Sequence, residues 1–269
     1  MRFIGANIAV RLLKREVAVR FPNGTRLLIS PRMKGAAHFI NPGLCEFEEM
    51  AFVLHFLRPD DLFVDIGANV GAYMVLASGV AGARTIAFEP NPSTFEFLSR
   101  NVTTNRLERL ATPVNAAVGE ARGELSLTNT LGTENYVSRE GESGPTVRVK
   151  VETLDSVLRD KEPLLIKADV EGFETAVFAG AAETLRKTSL QAMIIERNAL
   201  GERYGFDESA LHARIRSHGF MPCAYLPMER LLRRIENEAK GNIIYVRDFE
   251  TVQKRLREAR AFQFGGRSI

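Results

Sequence analysis

The segment Asp65-Ile66-Gly67-Ala68-Asn69-Val70-Gly71 restricts the fold of this chain more than any other stretch. It follows the apolar run Leu62-Phe63-Val64 and precedes Tyr73-Met74-Val75-Leu76-Ala77, which has helical character. A buried strand is therefore expected to end in a tight glycine turn that opens a helix, as at the nucleotide-binding corner of a doubly wound α/β sheet. Gly67 and Gly71 are expected to let the backbone approach a ligand closely, because no Cβ stands in the way. Asp65, at the strand's end, adds an acceptor for a cationic or hydroxyl-bearing ligand.

The choice of nucleotide follows from what the turn lacks. A dinucleotide fingerprint G-x-G-x-x-G starting at Gly67 needs glycines where the chain has Asn69 and Ala72, and no G-x-x-x-x-G-K-[ST] phosphate loop occurs. A second acid, Glu89, closes the next predicted strand (Thr85-Ile86-Ala87-Phe88) 24 residues after Asp65. That is one strand–helix–strand unit, the spacing at which an acid meets a ribose. A pyrophosphate would be repelled by Asp65. S-adenosylmethionine, with an amino group and a sulfonium but no phosphate, suits it.

Two further segments give the chain a family resemblance. Ala87-Phe88-Glu89-Pro90-Asn91-Pro92 follows the first motif, and Lys167-Ala168-Asp169-Val170-Glu171-Gly172-Phe173-Glu174, with Val177 and Gly180 after it, fits the pattern K-x-D-x-E-G-x-E-x-x-V/L-x-x-G. In these segments the chain resembles the FkbM family of S-adenosylmethionine-dependent methyltransferases, over roughly residues 45–247. Ala168 stands where the family often has Ile. The resemblance implies a class I methyltransferase fold, a Rossmann-like doubly wound sheet of seven strands whose last two form an antiparallel hairpin. It also implies O-methylation of a hydroxyl on a sugar, glycolipid or secondary metabolite. Enzymes that methylate exocyclic amines of nucleic acids carry (D/N)-P-P-(Y/F) after the fourth strand, where this chain reads Asp169-Val170-Glu171-Gly172.

Roles for individual residues follow from that reading. Gly67 and Gly71 would lie against the methionine portion, and Asp65 and Asn69 would bond its amino-acid end. Glu89 would accept both ribose hydroxyls, Asn115 and Ala116 would flank the adenine, and Ala68 and Pro90 complete the cofactor set. A hydroxyl has a high pKa and needs a base nearby. Asp169 is the first candidate, at the boundary of cofactor and acceptor. Glu196, closing the fifth strand, is the second, and Lys167 tunes the Asp169 carboxylate. Glu171 and Glu174 equally suit the positive N-terminus of the following helix.

Along the chain, residues 17–21 and 25–29 flank Pro22-Asn23-Gly24, a hairpin signal. Residues 46–57 carry a helical apolar stripe. Residues 92–105 predict the second crossover helix, 114–118 the third strand, 164–170 the fourth and 192–196 the fifth. A helix is expected near 175–185 and another over 211–218, with closing strands at 220–226 and 242–247. The polar segment 129–145, bracketed by strand-like pieces, suggests a lid or a disordered loop. Residues 1–58 are read as an N-terminal extension of hairpin and helix, 59–248 as the Rossmann-like domain, and 249–269 as a basic amphipathic helix or tail.

Charge and cysteine content exclude some classes. A net charge of +3 does not by itself imply nucleic acid, whose dedicated binders usually show clustered Lys/Arg with interleaved aromatics. Two cysteines, Cys45 and Cys223, make no disulfide framework, and no His pair has ligand spacing with a carboxylate, so no metal site is expected. No apolar run approaches the roughly 18–20 residues that cross a bilayer, so stable membrane insertion is not expected. Ile4, Ile8 and Leu12 suggest a short docking helix, and His38 a loop over the cofactor mouth. A cytoplasmic enzyme acting on a small-molecule or glycan acceptor is the expectation. A nicotinamide-dependent oxidoreductase and a non-catalytic protein that kept the fold are the alternatives.

Overall fold

The computed structural model describes residues 16–21, 23–30, 44–129, 135–139, 142–236, 241–264 and 267–269. The expected docking helix with Ile4, Ile8 and Leu12, the His38 loop, Pro22 of the hairpin signal, and positions 130–134 and 140–141 of the polar segment lie outside the described residues.

The described chain opens with the expected hairpin, β1 (Val17–Arg20) against β2 (Arg26–Ile29). After the helix Phe47–Phe56 come β3 (Leu62–Ile66), β4 (Arg84–Phe88) and β5 (Ala111–Val114). A smaller sheet follows, built from β6 (Ala117–Val118), β7 (Gly123–Thr128) and β8 (Thr146–Glu152). The chain then returns to the main sheet as β9 (Leu165–Ala168), β10 (Ala192–Arg197), β11 (Met221–Leu226), β12 (Leu231–Arg234) and β13 (Gly241–Val246).

The main sheet runs β12-β11-β13-β10-β9-β3-β4-β5. Pairing is parallel from β10 to β5, and the pairs β10–β13, β13–β11 and β11–β12 are antiparallel. Winding proceeds from β3 outward to β5 and then restarts from β3 on the other side. The switch point therefore lies at the carboxyl ends of β3 and β9, where open α/β sheets hold their ligands. This is the doubly wound, class I order expected, with an eighth strand added.

Successive strand residues point to opposite faces, and both faces are covered. Phe63, Leu165 and Ile194 pack with the helices Phe47–Phe56, Pro92–Thr104 and Phe249–Arg257. Val64, Ile166 and Ile195 pack with Val177, Phe178, Leu211 and Ile215 on the other side. Burial on two faces explains why these strands read as unbroken apolar runs.

Four expectations need correction. The third strand is Ala111–Val114, not 114–118. Pro113 sits inside it, which is tolerated because β5 is the sheet edge and no neighbour needs the missing N–H. Strand β12 was not expected, since of its four residues Leu-Leu-Arg-Arg only Leu232 is buried. The helix near 175–185 is shorter, Glu174–Ala179, followed by a 3-10 turn at Thr184–Arg186. Gly180 ends it where a Cβ would stand 2.2 Å from the Gly119 carbonyl oxygen. Finally, part of the polar segment is ordered: Leu127 bridges Val137, and residues 135–139 lie along β7.

The C-terminal helix is packed rather than trailing. Val252 and Leu256 are buried, Arg255 donates to the Phe56 carbonyl and pairs with Asp61, and Arg58 donates to the Arg255 carbonyl at 2.7 Å. Among the described residues no helix is long and apolar enough to cross a membrane.

The β1-β2 hairpin is joined to the glycine turn through Asn101. Its side chain accepts from Leu28 N at 2.6 Å and donates to Leu28 O at 3.0 Å and Val70 O at 2.8 Å. Asn101 is fully buried. Replacing it by Ala leaves these backbone groups unpaired, so Asn101→Ala is expected to lower unfolding free energy by about 2–3 kcal/mol in urea denaturation. A loss below about 0.5 kcal/mol contradicts this tether.

Candidate active site

The register of the parallel strands builds the site. Ile66 is the Cα partner of both Phe88 and Ala168, and Ala168 is the partner of Ile195. The next residue of each strand is Gly67, Glu89, Asp169 or Glu196, so the turn glycine and three acids emerge at one level of one edge. One residue earlier, Asp65 lies beside Lys167.

The turn after β3 alternates in hand, with positive φ at Gly67 (77°), Asn69 (54°) and Gly71 (90°). Gly67 N and Ala68 N both donate to Phe88 O, at 3.0 and 2.8 Å. A Cβ on Gly67 would stand 1.9 Å from the Asp169 carbonyl oxygen, and one on Gly71 would meet Leu98 and Met74 at 2.7 and 2.8 Å. These glycines are thus required by the left-handed backbone and by neighbouring protein atoms. That differs from the sequence expectation, in which the ligand filled the space of the missing Cβ.

A cavity of about 410 Å³ opens over this edge, within the range of small-molecule sites. Asp65, Gly67, Ala68, Asn69, Glu89 and Pro90 line it on one side of the switch point, and Lys167, Asp169 and Glu196 on the other. Ala116 lies on its far wall with Ala117, Val118 and Leu127, an apolar surface suited to a flat ring. Gly71 and Asn115 do not line it. Gly71 caps the helix start, and Asn115 Nδ2 donates to the Glu89 and Pro90 carbonyls at 2.9 and 3.0 Å, which ties the ends of two strands together.

Asp65 is 1% exposed, and neither carboxylate oxygen has a hydrogen-bond partner of normal geometry. Burial pushes its pKa up to about 7, opposed by the Lys167 charge and only weakly helped by the Met74 N–H. Glu89 is also raised to about 7 by burial, although Oε2 accepts from Asn69 N at 3.0 Å and Oε1 from Asn91 N at 2.8 Å. Each Glu89 oxygen keeps a lone pair for a hydroxyl donor.

Asp169 and Lys167 form an ion pair at 2.7 Å, with the ammonium 4.6 Å from the Tyr73 ring centre. Burial works against the Lys167 charge, but Asp169, Glu46 and Asp65 outweigh it and hold the amine protonated above the usual lysine range. Burial likewise opposes the Asp169 anion, which Lys167 and a hydrogen bond with Glu196 keep below its ordinary value. Glu196 is pushed up to about 9 by burial and by Asp169. Two carboxyl groups thus share one proton: Glu196 donates, Asp169 accepts, and Asn198 Nδ2 donates to Glu196 Oε2 at 2.8 Å. Glu174 is buried, accepts from Val170 N at 2.9 Å, and is a fixture of the turn.

Sequence reasoning missed several cavity residues, some beside the motifs and some distant from them. Tyr73 donates to Glu46, at the N-cap of the helix Phe47–Phe56, and both line the cavity. Tyr136 and Val137 come from the ordered part of the polar segment, with the Tyr136 ring under Arg203 at 3.7 Å and Val137 O bonded by Tyr204. The alternation around Tyr136-Val137 was the available signal for the latter pair; Glu46 carries none. His55 and His212 stand away from the cavity, each bonded at 2.5 Å to a buried tyrosine, Tyr225 and Tyr245. Among the described residues no group of three or more His, Cys, Asp or Glu is arranged to hold a metal ion.

Asp65 and Glu89 keep their protons in the fold at pH values where an unfolded chain has lost them. The folded chain therefore binds more protons between about pH 4 and 7, and the stability present in acid is lost as pH rises through that window. Asp65→Asn removes one such group without changing shape. Its stability relative to wild type is expected to improve by roughly 1–3 kcal/mol between pH 4.5 and 7.5 in urea titrations. A pH-independent difference contradicts the assignment.

Residues 65–222 match the model of the methyltransferase FkbM domain. The chain is 27% identical over 157 residues to the hexuronic acid methyltransferase AglP of Haloferax volcanii, which covers 57% of this chain and 63% of that protein. The chain therefore spans less than two thirds of that relative's length. It is 26% identical over 241 residues to the 31-O-demethyl-FK506 methyltransferase FkbM of Streptomyces tacrolimicus, covering 75% of this chain and 88% of that one. Among solved structures, the human methyltransferase 10 domain containing protein superposes with a TM-score of 0.46 at 13% identity, covering 91% of this chain and 97% of its own.

Proposed function

This chain belongs to the FkbM methyltransferase family, and we propose that it moves a methyl group from S-adenosylmethionine to a hydroxyl of a small molecule or glycan. The observation that carries this reading is Asp65, a desolvated carboxyl group without a hydrogen-bond partner of normal geometry in a cavity wall rich in acids. Leaving such a group unpaired is costly, and a ligand ammonium removes the cost. The same acids disfavour a pyrophosphate, which argues against the nicotinamide alternative. The retained ion pair and shared proton at Asp169 argue against a non-catalytic relic, although fold alone never establishes activity.

In this reading Asp65 and Asn69 hold the amino-acid end of the donor, and Glu89 receives the ribose hydroxyls on its two remaining lone pairs. The apolar wall of Ala116, Ala117, Val118 and Leu127 takes the adenine. The bound donor supplies an activated methyl on a sulfonium, and the protein's own share is alignment and proton handling. Asp169 is the base in contact with the acceptor hydroxyl. Its low basicity suffices because the hydroxyl proton becomes strongly acidic as the new C–O bond forms. Glu196, protonated at neutral pH, serves Asp169 as a donor instead of acting as the base. Lys167 fixes the Asp169 carboxylate and keeps it charged.

The names of the two relatives, one a hexuronic acid methyltransferase and one a 31-O-demethyl-FK506 methyltransferase, support a sugar or secondary metabolite as the acceptor class. Calorimetry with S-adenosylhomocysteine tests the cofactor half: Glu89→Ala should lose affinity about 10–100-fold, whereas Asp169→Asn should change it far less. Turnover tests the other half, with Asp169→Asn expected to fall about 10²–10⁴-fold. Equal binding by wild type and Glu89→Ala removes the ribose assignment. Unaltered turnover in Asp169→Asn removes the base.

A further inference from the structure

The helix Phe47–Phe56 begins with an acid that does not serve it. Glu46 occupies the N-cap position, yet its side chain caps none of the helix's N–H groups. It reaches instead to Tyr73, whose hydroxyl donates to Glu46 Oε2, and both residues line the cavity. Met50, Phe52, Val53 and Leu54 of the same helix are buried, so close packing fixes where Glu46 stands.

Glu46 belongs to the end of the cavity assigned to the donor's methionine portion. Tyr73 follows Gly71 by two residues, in the helix that the glycine turn opens. Its ring centre lies 4.6 Å from Lys167 Nζ, and Lys167 is the register partner of Asp65. Glu46, Tyr73, Lys167 and Asp65 thus form a row of neighbours from the helix to the ends of β3 and β9. The charges in that row do not cancel. Lys167 is paired with Asp169 at 2.7 Å, and both oxygens of the deeply buried Asp65 lack a hydrogen-bond partner. Among the described residues Glu46 forms no ion pair, and Tyr73 engages only its Oε2. Burial first, then the charges of Asp169 and Glu46, push the Asp65 pKa up against the pull of Lys167, so Glu46 acts within electrostatic range of Asp65.

An ammonium carries three N–H donors that point to different sides. Asp65 offers acceptors from the sheet, and Glu46 offers Oε1 from the helix. We propose that Glu46 is a donor-binding residue, which with Asp65 holds the ammonium of S-adenosylmethionine between sheet and helix, and that Tyr73 positions it. The inference rests on the methyl-transfer reading and extends its donor site. Glu46 precedes the matched family region, residues 65–222, so the segment before the first sheet strand completes the grip on the donor. Residues 59–248 alone would lack this contact.

Two nucleosides separate this role from a structural one. S-adenosylhomocysteine carries the amino-acid end, whereas 5′-methylthioadenosine has the same adenosine and thioether without it. Calorimetry on the purified full chain compares their affinities at neutral pH. Glu46→Gln should bind S-adenosylhomocysteine about 10–100-fold more weakly, with 5′-methylthioadenosine changed less than about twofold. Retained binding of the second nucleoside also shows that the variant is folded. Tyr73→Phe should lose affinity for S-adenosylhomocysteine alone, and by less, because the carboxylate stays but is no longer held. Equal losses for both nucleosides in Glu46→Gln, or a loss for neither, overturn the inference while the cofactor reading stands. Wild-type affinities in Tyr73→Phe overturn the positioning role. Wild type that binds neither nucleoside overturns the methyl-transfer reading and this inference with it.

Discussion

Ile66, Phe88, Ala168 and Ile195 lie in one row across four parallel strands; the chain leaves the sheet after the first three, and β10 carries Glu196 at the same level. Each exit places Gly67 or an acid beside its neighbour. The Gly67 turn fits only because it has no Cβ against the Asp169 carbonyl, which locks the ends of β3 and β9 together. The ion pair of Lys167 with Asp169, the proton between Asp169 and Glu196, and the backbone N–H groups on Glu89 all depend on that alignment.

The arrangement is expensive for the protein on its own. Asp65, Glu89 and Glu174 are buried with pKa values near 7, and Glu196 near 9, so the fold carries protons on groups that water would leave ionised. Stability is sacrificed where binding needs acceptors ready in advance, the usual trade at functional sites. Surrounding packing supplies the difference. The Asn101 tether behind the turn and the Asn115 clamp across two strand ends fix the backbone that presents these acids.

Much of this was legible in the chain itself, for local reasons. A strand buried on both faces leaves an unbroken apolar run, and its end is marked by the first polar residue or glycine. Asp65, Glu89, Asp169 and Glu196 therefore announced themselves. So did the hairpin at Asn23-Gly24. What sequence could not give was pairing between distant segments. Pro113 obscured β5 because only its edge position makes proline acceptable there, and β12 was hidden because only one of its residues is buried. Glu46 and Val137 reach the cavity through tertiary contacts that no local pattern records. The glycines were found for a partly wrong reason: Gly67 and Gly71 are cleared for protein atoms and for positive φ.

The central claim is that Asp65 waits, half-protonated and unpaired, for the ammonium of the donor. Proton release on binding measures this most directly, by titrating S-adenosylmethionine calorimetrically at pH 7 in buffers of different ionisation enthalpy. With a pKa near 7, Asp65 should give up about half a proton as the ammonium docks. Wild type should therefore release about that much more than Asp65→Asn. An identical proton balance in the two proteins would contradict the account.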